Sequence, residues 1–497
     1  MNNRIKSIIA LTLTLLCYNS CDESNLDLEP GSVTEESYFA EEIEFERAVY
    51  GIYAKMTDFY WYNGGQNNCV QPVTLLPGDD VTSNGADEFE VFANINPGSG
   101  RLAYLYGAIY QMIARANVVL QKNAEVADGI YLTPGRKDAH RGEALFLRAY
   151  GHYLLWNLFG TSPVRNVRVE KLDEMKPTSS SGTELLDQAI ADLEEAATLL
   201  PAAWDDGNRG RVTKNSANGL LGKSLVFKAT VNDSDADFQA AIAAFDKITG
   251  ASLVPAFDDN HAFDTENNAE SLFEYQATQA FGFDNVWLSN DFDNAVGAMS
   301  VFWGFYDNHW SLFGKQPFIA TEKLNSIFEA GDPRKALTLD AATKAIKKYV
   351  TRDKLNQPGQ SSVNNPRILR YADVLLLKAE ALNESGGSTS QAIDLINQVR
   401  TRARGAGTAP ANLSNAIADR TQIRQLIMDE RLMELGGEGQ RWFDLRRWAL
   451  AGHITLNNAF FNSAIPADMN FGERNLNYPI PTSETNVNPN ITQNPGY

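Results

Sequence analysis

Cysteine is scarce in this chain: Cys17, Cys21 and Cys69 are the only three in 497 residues. Three thiols this far apart in role support no disulfide framework and no cysteine metal site. Histidine is nearly as rare, and its five positions (140, 152, 261, 309 and 453) show no HExxH-like ligand spacing. Positive charge is also short, with 43 Lys and Arg against 62 Asp and Glu, a formal net charge of −19. A field of that sign repels phosphate backbones, so no nucleic-acid partner is expected. No apolar run is long enough to cross a bilayer.

The usual catalytic signatures are missing as well. Gly222-Lys223-Ser224 carries only the tail of a phosphate loop: Ala217 stands where the first glycine belongs, and the segment reads as helix interior. Asp233-Ser234-Asp235-Ala236-Asp237 begins like a calcium loop, but Phe238 takes the turn glycine's place and Ala244 that of the bidentate Glu. Asp237 reads instead as a helix N-cap. No nucleophile elbow occurs. Asp79-Asp80 is a poor glycosidase pair, because adjacent carboxylates seldom converge on one bond. No enzymatic activity and no cofactor is expected; a structural calcium ion among the acidic loops is the single metal left open.

What is present begins with a secretory signal over residues 1–20. Arg4 and Lys6 form its positive end, Ile8 to Leu16 its short apolar stretch, and Tyr18-Asn19-Ser20-Cys21 a lipobox-like close. Diacylation of Cys21 would hold the chain to a membrane by this lipid anchor alone. The alternative is ordinary cleavage to a secreted soluble protein. Residues 21–33 read as an acidic tether, and Cys69 is left as a lone buried thiol.

Beyond the tether, helical periodicity dominates, and the expected class is all-α. Helices are predicted over 35–58, 101–124, 142–159, 182–200, 214–230, 237–249, 367–384, 389–404 and 419–436. Residues 142–159 are apolar nearly all round, which predicts burial on every side. Ala189 with Leu193, Ala241 with Phe245, and Ala392 with Ile396 each place a small residue four before a large one, as nested tetratricopeptide hairpins do. Residues 59–100 and 251–318 lose the period and gain Gly, Asn, Asp and aromatics, so they read as long functional loops. Residues 405–418 and 449–497 are also expected to be largely loop.

Several stretches together resemble the SusD/RagB family. Gly142-Glu143-Ala144-Leu145-Phe146-Leu147-Arg148-Ala149-Tyr150, followed by Leu158-Phe159-Gly160-Thr161-Ser162-Pro163, is similar to its EARFLRAY…YGDVP helix. Asp192 to Ala196 with Leu200-Pro201, Gly210 to Lys214, and Gly331-Asp332-Pro333-Arg334 follow its pattern in order. So do Arg370 to Glu384, Asn397 to Arg402, and Glu430-Arg431 with Glu438 to Trp448. Tyr478-Pro479-Ile480-Pro481 and Gln493 to Tyr497 match its ending.

The resemblance implies about four tetratricopeptide-like hairpins with the long loops as the ligand face, in a single domain over 34–497. It implies a cell-surface, outer-membrane lipoprotein that captures a glycan for a SusC-like TonB-dependent transporter without cutting it. The acidic stretch after Cys21 resembles a surface-export signal of Bacteroidetes type. The charged motif residues Arg370, Asp373, Glu380, Glu430, Arg431, Glu438, Arg441, Asp444, Arg446 and Arg447 read as buried pairs that fix helix register.

A glycan binder needs exposed flat aromatics flanked by amides and charges. Trp156, Trp442 and Trp448 fall in framework helices, and Trp204 in an acidic turn. The remaining tryptophans mark the expected site. The ligand-binding candidates are Trp61, Tyr62, Asn63 and Gln66 in the first loop, Asp80, Asn84 and Arg101 after it, and Trp287, Trp303, Tyr306 and Trp310 in the second. A neutral glucan, with a β-glucan such as laminarin as the specific guess, is the expected ligand. A peptide or glycopeptide importer subunit and a glycoside hydrolase are the competing readings.

Overall fold

The computed structural model describes residues 38–60, 71–83, 85, 87–127, 129–277, 318–349, 364–465 and 468–497. Ten helices of ten or more residues carry the described architecture: α1 (Glu42–Ala54), α2 (Gly100–Glu125), α3 (Arg136–Leu158), α4 (Glu184–Leu199), α5 (Lys214–Asn232), α6 (Asp235–Asp246), α7 (Tyr371–Glu384), α8 (Thr389–Arg404), α9 (Arg420–Leu435) and α10 (Arg441–Leu450). Consecutive helices pack side by side as α3/α4, α5/α6 and α7/α8, and α5 and α6 carry the array from the first pair to the last. This succession of hairpins accords with the tetratricopeptide-like array expected from the sequence.

Local chemistry explains the boundaries. Ser99 Oγ accepts from Leu102 N at the start of α2, and Leu102, Leu105, Ile109, Ile113, Ala116 and Leu120 form its buried stripe. Every residue of α3 from Gly142 to Leu158 is buried, as its all-round apolar pattern requires. The small-then-large positions nest as expected, for Ala189, Leu193, Ala241, Ala392 and Ile396 are fully buried and Phe245 nearly so. At Gly222 a Cβ would stand 2.3 Å from Cε1 of Phe245, so α5 and α6 approach this closely only because the residue is glycine.

Three expectations need correction. The helix expected over 35–58 is shorter: α1 ends at Ala54, and Ile43, placed on its apolar stripe, is 47% exposed. Ser234, not Asp237, caps α6, accepting from Asp237 N at 3.2 Å. Residues Arg367–Arg370, expected to open a helix, form a strand instead, because they pair with a partner about a hundred residues earlier.

Among the described residues four strands occur: β1 (Val81–Thr82), β2 (Ser271–Glu274), β3 (Ile319–Ala320) and β4 (Arg367–Arg370). They form two antiparallel pairs, β1 with β3 (Val81↔Ala320) and β2 with β4 (Phe273↔Leu369).

The motif charges sit inside this framework and neutralise one another. Arg370 Nε and Nη1 reach Glu438 (2.9 Å), Glu270 (2.8 Å) and Glu434 (2.7 Å). Arg431 bridges Asp444 (2.8 Å) and Asp373 (2.7 Å), and Lys223 of the false phosphate loop bonds Asp373 at 2.7 Å. Arg447 Nη2 meets Glu380 at 2.8 Å, and Trp448 Nε1 donates to the same carboxylate at 3.0 Å. Arg334 ties Glu430 (2.7 Å) to the Asp332 cap. Arg446 alone among the motif arginines rests on backbone and amide oxygens, Leu476 O and Asn477 Oδ1, with its guanidinium 4.5 Å from the Trp156 ring centre. Burial pushes Arg446 down to about 9.

Candidate functional site

Trp61, Tyr62, Asn63, Gln66, Asn84, Trp287, Trp303, Tyr306 and Trp310 lie outside the described residues, as do Cys21 and Cys69. The structure describes the stems from which these segments depart. Residues 61–70 are flanked by the short helices Thr57–Tyr60 and Gln71–Leu75, residues 278–317 by Ala277 and Phe318, and residues 350–363 by Tyr349 and Asn364.

These stems are bonded to one another. The hydroxyls of Thr57 and Tyr275 stand 3.2 Å apart, linking the first stem to the second. Tyr275 N donates to Pro366 O at 3.0 Å and Ala277 N to Asn365 Oδ1 at 2.6 Å, linking the second to the third. Asn364 Nδ2 closes the third by donating to Tyr349 O at 3.0 Å. The far end of the second segment returns through β3 onto β1, where Thr321 N donates to Asp80 O at 3.0 Å.

Asn365 is the hub of this arrangement. Its Nδ2 donates to Glu274 Oε2 at 2.9 Å, and its own N–H donates to Glu266 Oε1 at 2.7 Å. Burial, reinforced by Glu274, pushes the Glu266 carboxyl up to about 7 against the pull of Asn365 N–H and Arg367.

A cavity of about 60 Å³ lies between the stems, walled by Phe59, Tyr150, Pro366, Ile368, Gln440 and Phe443. That volume admits a water or two and no sugar ring. The cavity between the described stems is therefore too small to be a sugar pocket.

Two candidate residues are described. Asp80 is 1% exposed; its Oδ2 accepts from Gly437 N at 2.9 Å, and its Oδ1 has no hydrogen-bond partner. Gly437 is needed there because its φ is +78° and a Cβ would meet Ile346 at 2.9 Å. Burial, with Asp79 adding to it, lifts the Asp80 carboxyl to about 6. Asp79 is equally buried, yet Arg441 (2.5 Å) and Lys323 hold it down at about 2. The pair is thus locked into the framework, with Asp79 committed to its cations.

Arg101 is partly buried; it pairs with Asp87 at 2.7 Å and lies 5.9 Å from the Phe89 ring centre. Asp87 also caps the helix Glu88–Val91, and buried Glu90 accepts from Ser83 N at 3.1 Å, so Ser83 and Asp87 are each held in place. Sequence reasoning missed Thr57, Glu266, Tyr275 and Asn365. The one trace of them was the strand-like run Leu272-Phe273-Glu274-Tyr275 inside an otherwise irregular stretch.

Among the described residues no group of three or more His, Cys, Asp or Glu is placed to hold a metal ion, and no helix is long and apolar enough to cross a membrane.

Comparison with known proteins places this geometry. The model of the SusD family matches residues 303–497, and a second model, described as starch-binding associating with outer membrane, matches residues 26–225. SusD-like protein P2 of Formosa agariphila is 26% identical over 530 residues, covering 99% of each chain. Starch-binding protein SusD of Bacteroides thetaiotaomicron is 24% identical, covering 81% of this chain and 80% of its own. A SusD superfamily crystal structure from Bacteroides vulgatus superposes with a TM-score of 0.72 at 24% identity, over 93% of this chain and 100% of that one. The structure of a laminarin binding SusD-like protein gives 0.71 at 24%, over 92% and 100%. Two matches that cover the two ends of the chain, a full-length relative and a shared helical fold agree with the motif order, and the chain belongs to the SusD family.

Proposed function

We propose that this protein captures a neutral glycan at the cell surface and passes it to a SusC-like TonB-dependent transporter, without catalysis. The observation that carries the reading is the bonded set of stems that flank residues 61–70 and 278–317 in the chain, segments whose sequence intersperses Trp61, Trp287, Trp303 and Trp310 with Asn, Gln and Asp. A rigid mounting lowers the ordering cost of presenting flat rings to a sugar. Each ring that covers ~100 Å² of sugar contributes about 2.5 kcal/mol before ordering costs, so two or three give weak, exchangeable binding suited to a protein that hands its ligand on.

Relatives named as starch-binding and laminarin-binding support a glucan, and a β-glucan is our specific choice. The lipobox-like end at Cys21 and the outer-membrane description of the matching family support a lipid-anchored position there. Among the described residues, commitment of Asp79 to Arg441 and Lys323 argues against hydrolysis by the Asp79–Asp80 pair.

Affinity electrophoresis against a panel of polysaccharides tests the reading. We expect retarded migration on a neutral glucan, abolished in Trp303→Ala or Trp310→Ala with the unfolding transition unchanged. Equal retardation of both variants and the wild type would remove this site, and release of shorter sugars during incubation would remove the non-catalytic assignment.

A further inference from the structure

Ten large hydrophobic side chains are exposed among the described residues, and five of them gather at one groove. Val167, Val169, Met175 and Val487 line this groove of about 450 Å³, and Leu172, at 85% exposure, stands between Val169 and Met175 in the chain. Tyr106 and Tyr110 of α2 form the floor. Apolar surface concentrated in this way marks a surface that something covers.

The chemistry of the groove narrows what that is. Its arginines are already engaged: Arg165 donates to Glu174 O (2.6 Å) and Met175 O (3.1 Å), and Arg168 to Gln121 Oε1 at 3.5 Å. Charge therefore selects no counter-ion, and what the groove offers is apolar area. Tyr106 is 2% exposed and packs against Tyr110, ring centres 4.8 Å apart, so these rings close the floor and do not stand out as sugar platforms. The five exposed side chains are all aliphatic or thioether, without the Trp, Tyr and Arg anchors that concentrate binding energy between proteins. Aliphatic side chains around an apolar groove suit acyl chains.

The borders of the patch fit a bilayer as well. Lys171 and Lys176, both exposed, bracket the 3-10 turn Leu172–Met175, and their long stems let the ammonium groups rise to headgroup level while the apolar side chains go deeper. Glu174 turns back onto the amides of Glu170 (3.0 Å) and Lys171 (3.3 Å).

The chain also enters the folded body beside this groove. Phe39 packs on Phe45 and Phe45 on Tyr131, whose hydroxyl meets Asn123 of α2 at 3.2 Å. Asn117, in the groove wall, is six residues back along the same helix, an axial distance of about 9 Å. A chain held at Cys21 therefore joins the body next to the groove.

We propose that this face lies on the bilayer, with Val167, Leu172, Met175 and Val487 in the interface and the groove between them taking an acyl chain of a membrane lipid. The proposal rests on the lipid-anchored position proposed above, and it fixes which face of the anchored body is turned to the membrane.

Flotation of the full mature chain with phosphatidylcholine vesicles, in a Cys21→Ser background, tests the face without the anchor. The protein is expected to float with the lipid, and Leu172→Ser and Val487→Ser are each expected to lower the bound fraction about fivefold. These side chains are 85% and 65% exposed, so both variants keep the fold, which an unchanged urea transition verifies. In the acylated chain on the same vesicles, p-benzoylphenylalanine at position 172 is expected to crosslink to a lipid acyl chain. Absence of flotation, equal flotation of the variants, or a crosslink to a second copy or another protein in place of lipid would each overturn the proposal. An N-terminal peptide without acyl mass would instead overturn the anchored position, with flotation unaffected, so the two failures are told apart.

Discussion

Asp80 shows how much a single buried oxygen can weigh. Its carboxyl is lifted to about 6 by burial, and one of its two oxygens meets no donor. The unfolded chain gives up this proton near the ordinary value of 3.8, and the folded chain near 6. Between those values the folded state binds more protons, so the contribution of Asp80 to stability falls as pH rises and stays low above 6. A neutral amide avoids the loss and keeps an oxygen for Gly437 N–H. Asp80→Asn should therefore stabilise the protein at pH 7.5, by up to about 3 kcal/mol, and by far less at pH 4. Urea unfolding at the two pH values checks this; a gain that shrinks as pH rises would contradict it.

Glu380 illustrates the opposite balance. It accepts from Arg447 and Trp448 deep in the framework, and Glu380→Gln should cost about 3–5 kcal/mol by leaving the guanidinium under-neutralised. Replacing Glu380 and Arg447 together by methionine should cost much less than the two single changes summed. Additive single and double variants in the same denaturation series would refute that.

Elements divide cleanly by how local their causes are. The long helices were legible because spacing, caps and breakers lie within a few residues of each other: α2, α3 and α7 to α9 fall within a few residues of where periodicity puts them. The strands were not. Arg367–Arg370 reads as a helix start until β2, a hundred residues away, supplies its hydrogen-bond partners.

The same distance hid the stem network, whose members Thr57, Tyr275 and Asn365 are ordinary residues until the fold joins them. This network makes its own prediction. Asn365→Ala removes the acceptor of Ala277 N–H and the donor to Glu274, and should destabilise by about 2 kcal/mol. It should also weaken glycan binding several-fold, although no ligand contact is assigned to residue 365. Loss of stability with unchanged affinity would mean that the stems do not govern the loops.

On the scale of the whole molecule, an acidic surface and a framework of mutually neutralised charges leave little chemistry spare. The ten motif charges that look catalytic in the sequence are held within the core, and nine of them are in ion pairs. Family membership was legible from motif order alone, because framework motifs keep local patterns that a reader can match. The candidate ligand segments are marked in the sequence only by composition, aromatics beside amides in segments without period. Which ring faces a sugar depends on long-range contacts that composition does not encode.

The central claim is that these rings grip a glycan and leave it intact. Isothermal titration of a soluble neutral glucan into the wild type and into the Trp303→Ala, Trp310→Ala double variant tests it most directly. The account predicts saturable heat for the wild type, none for the double variant, and the sugar recovered at its original length. Equal heats from both proteins, or shortened sugar, would contradict it.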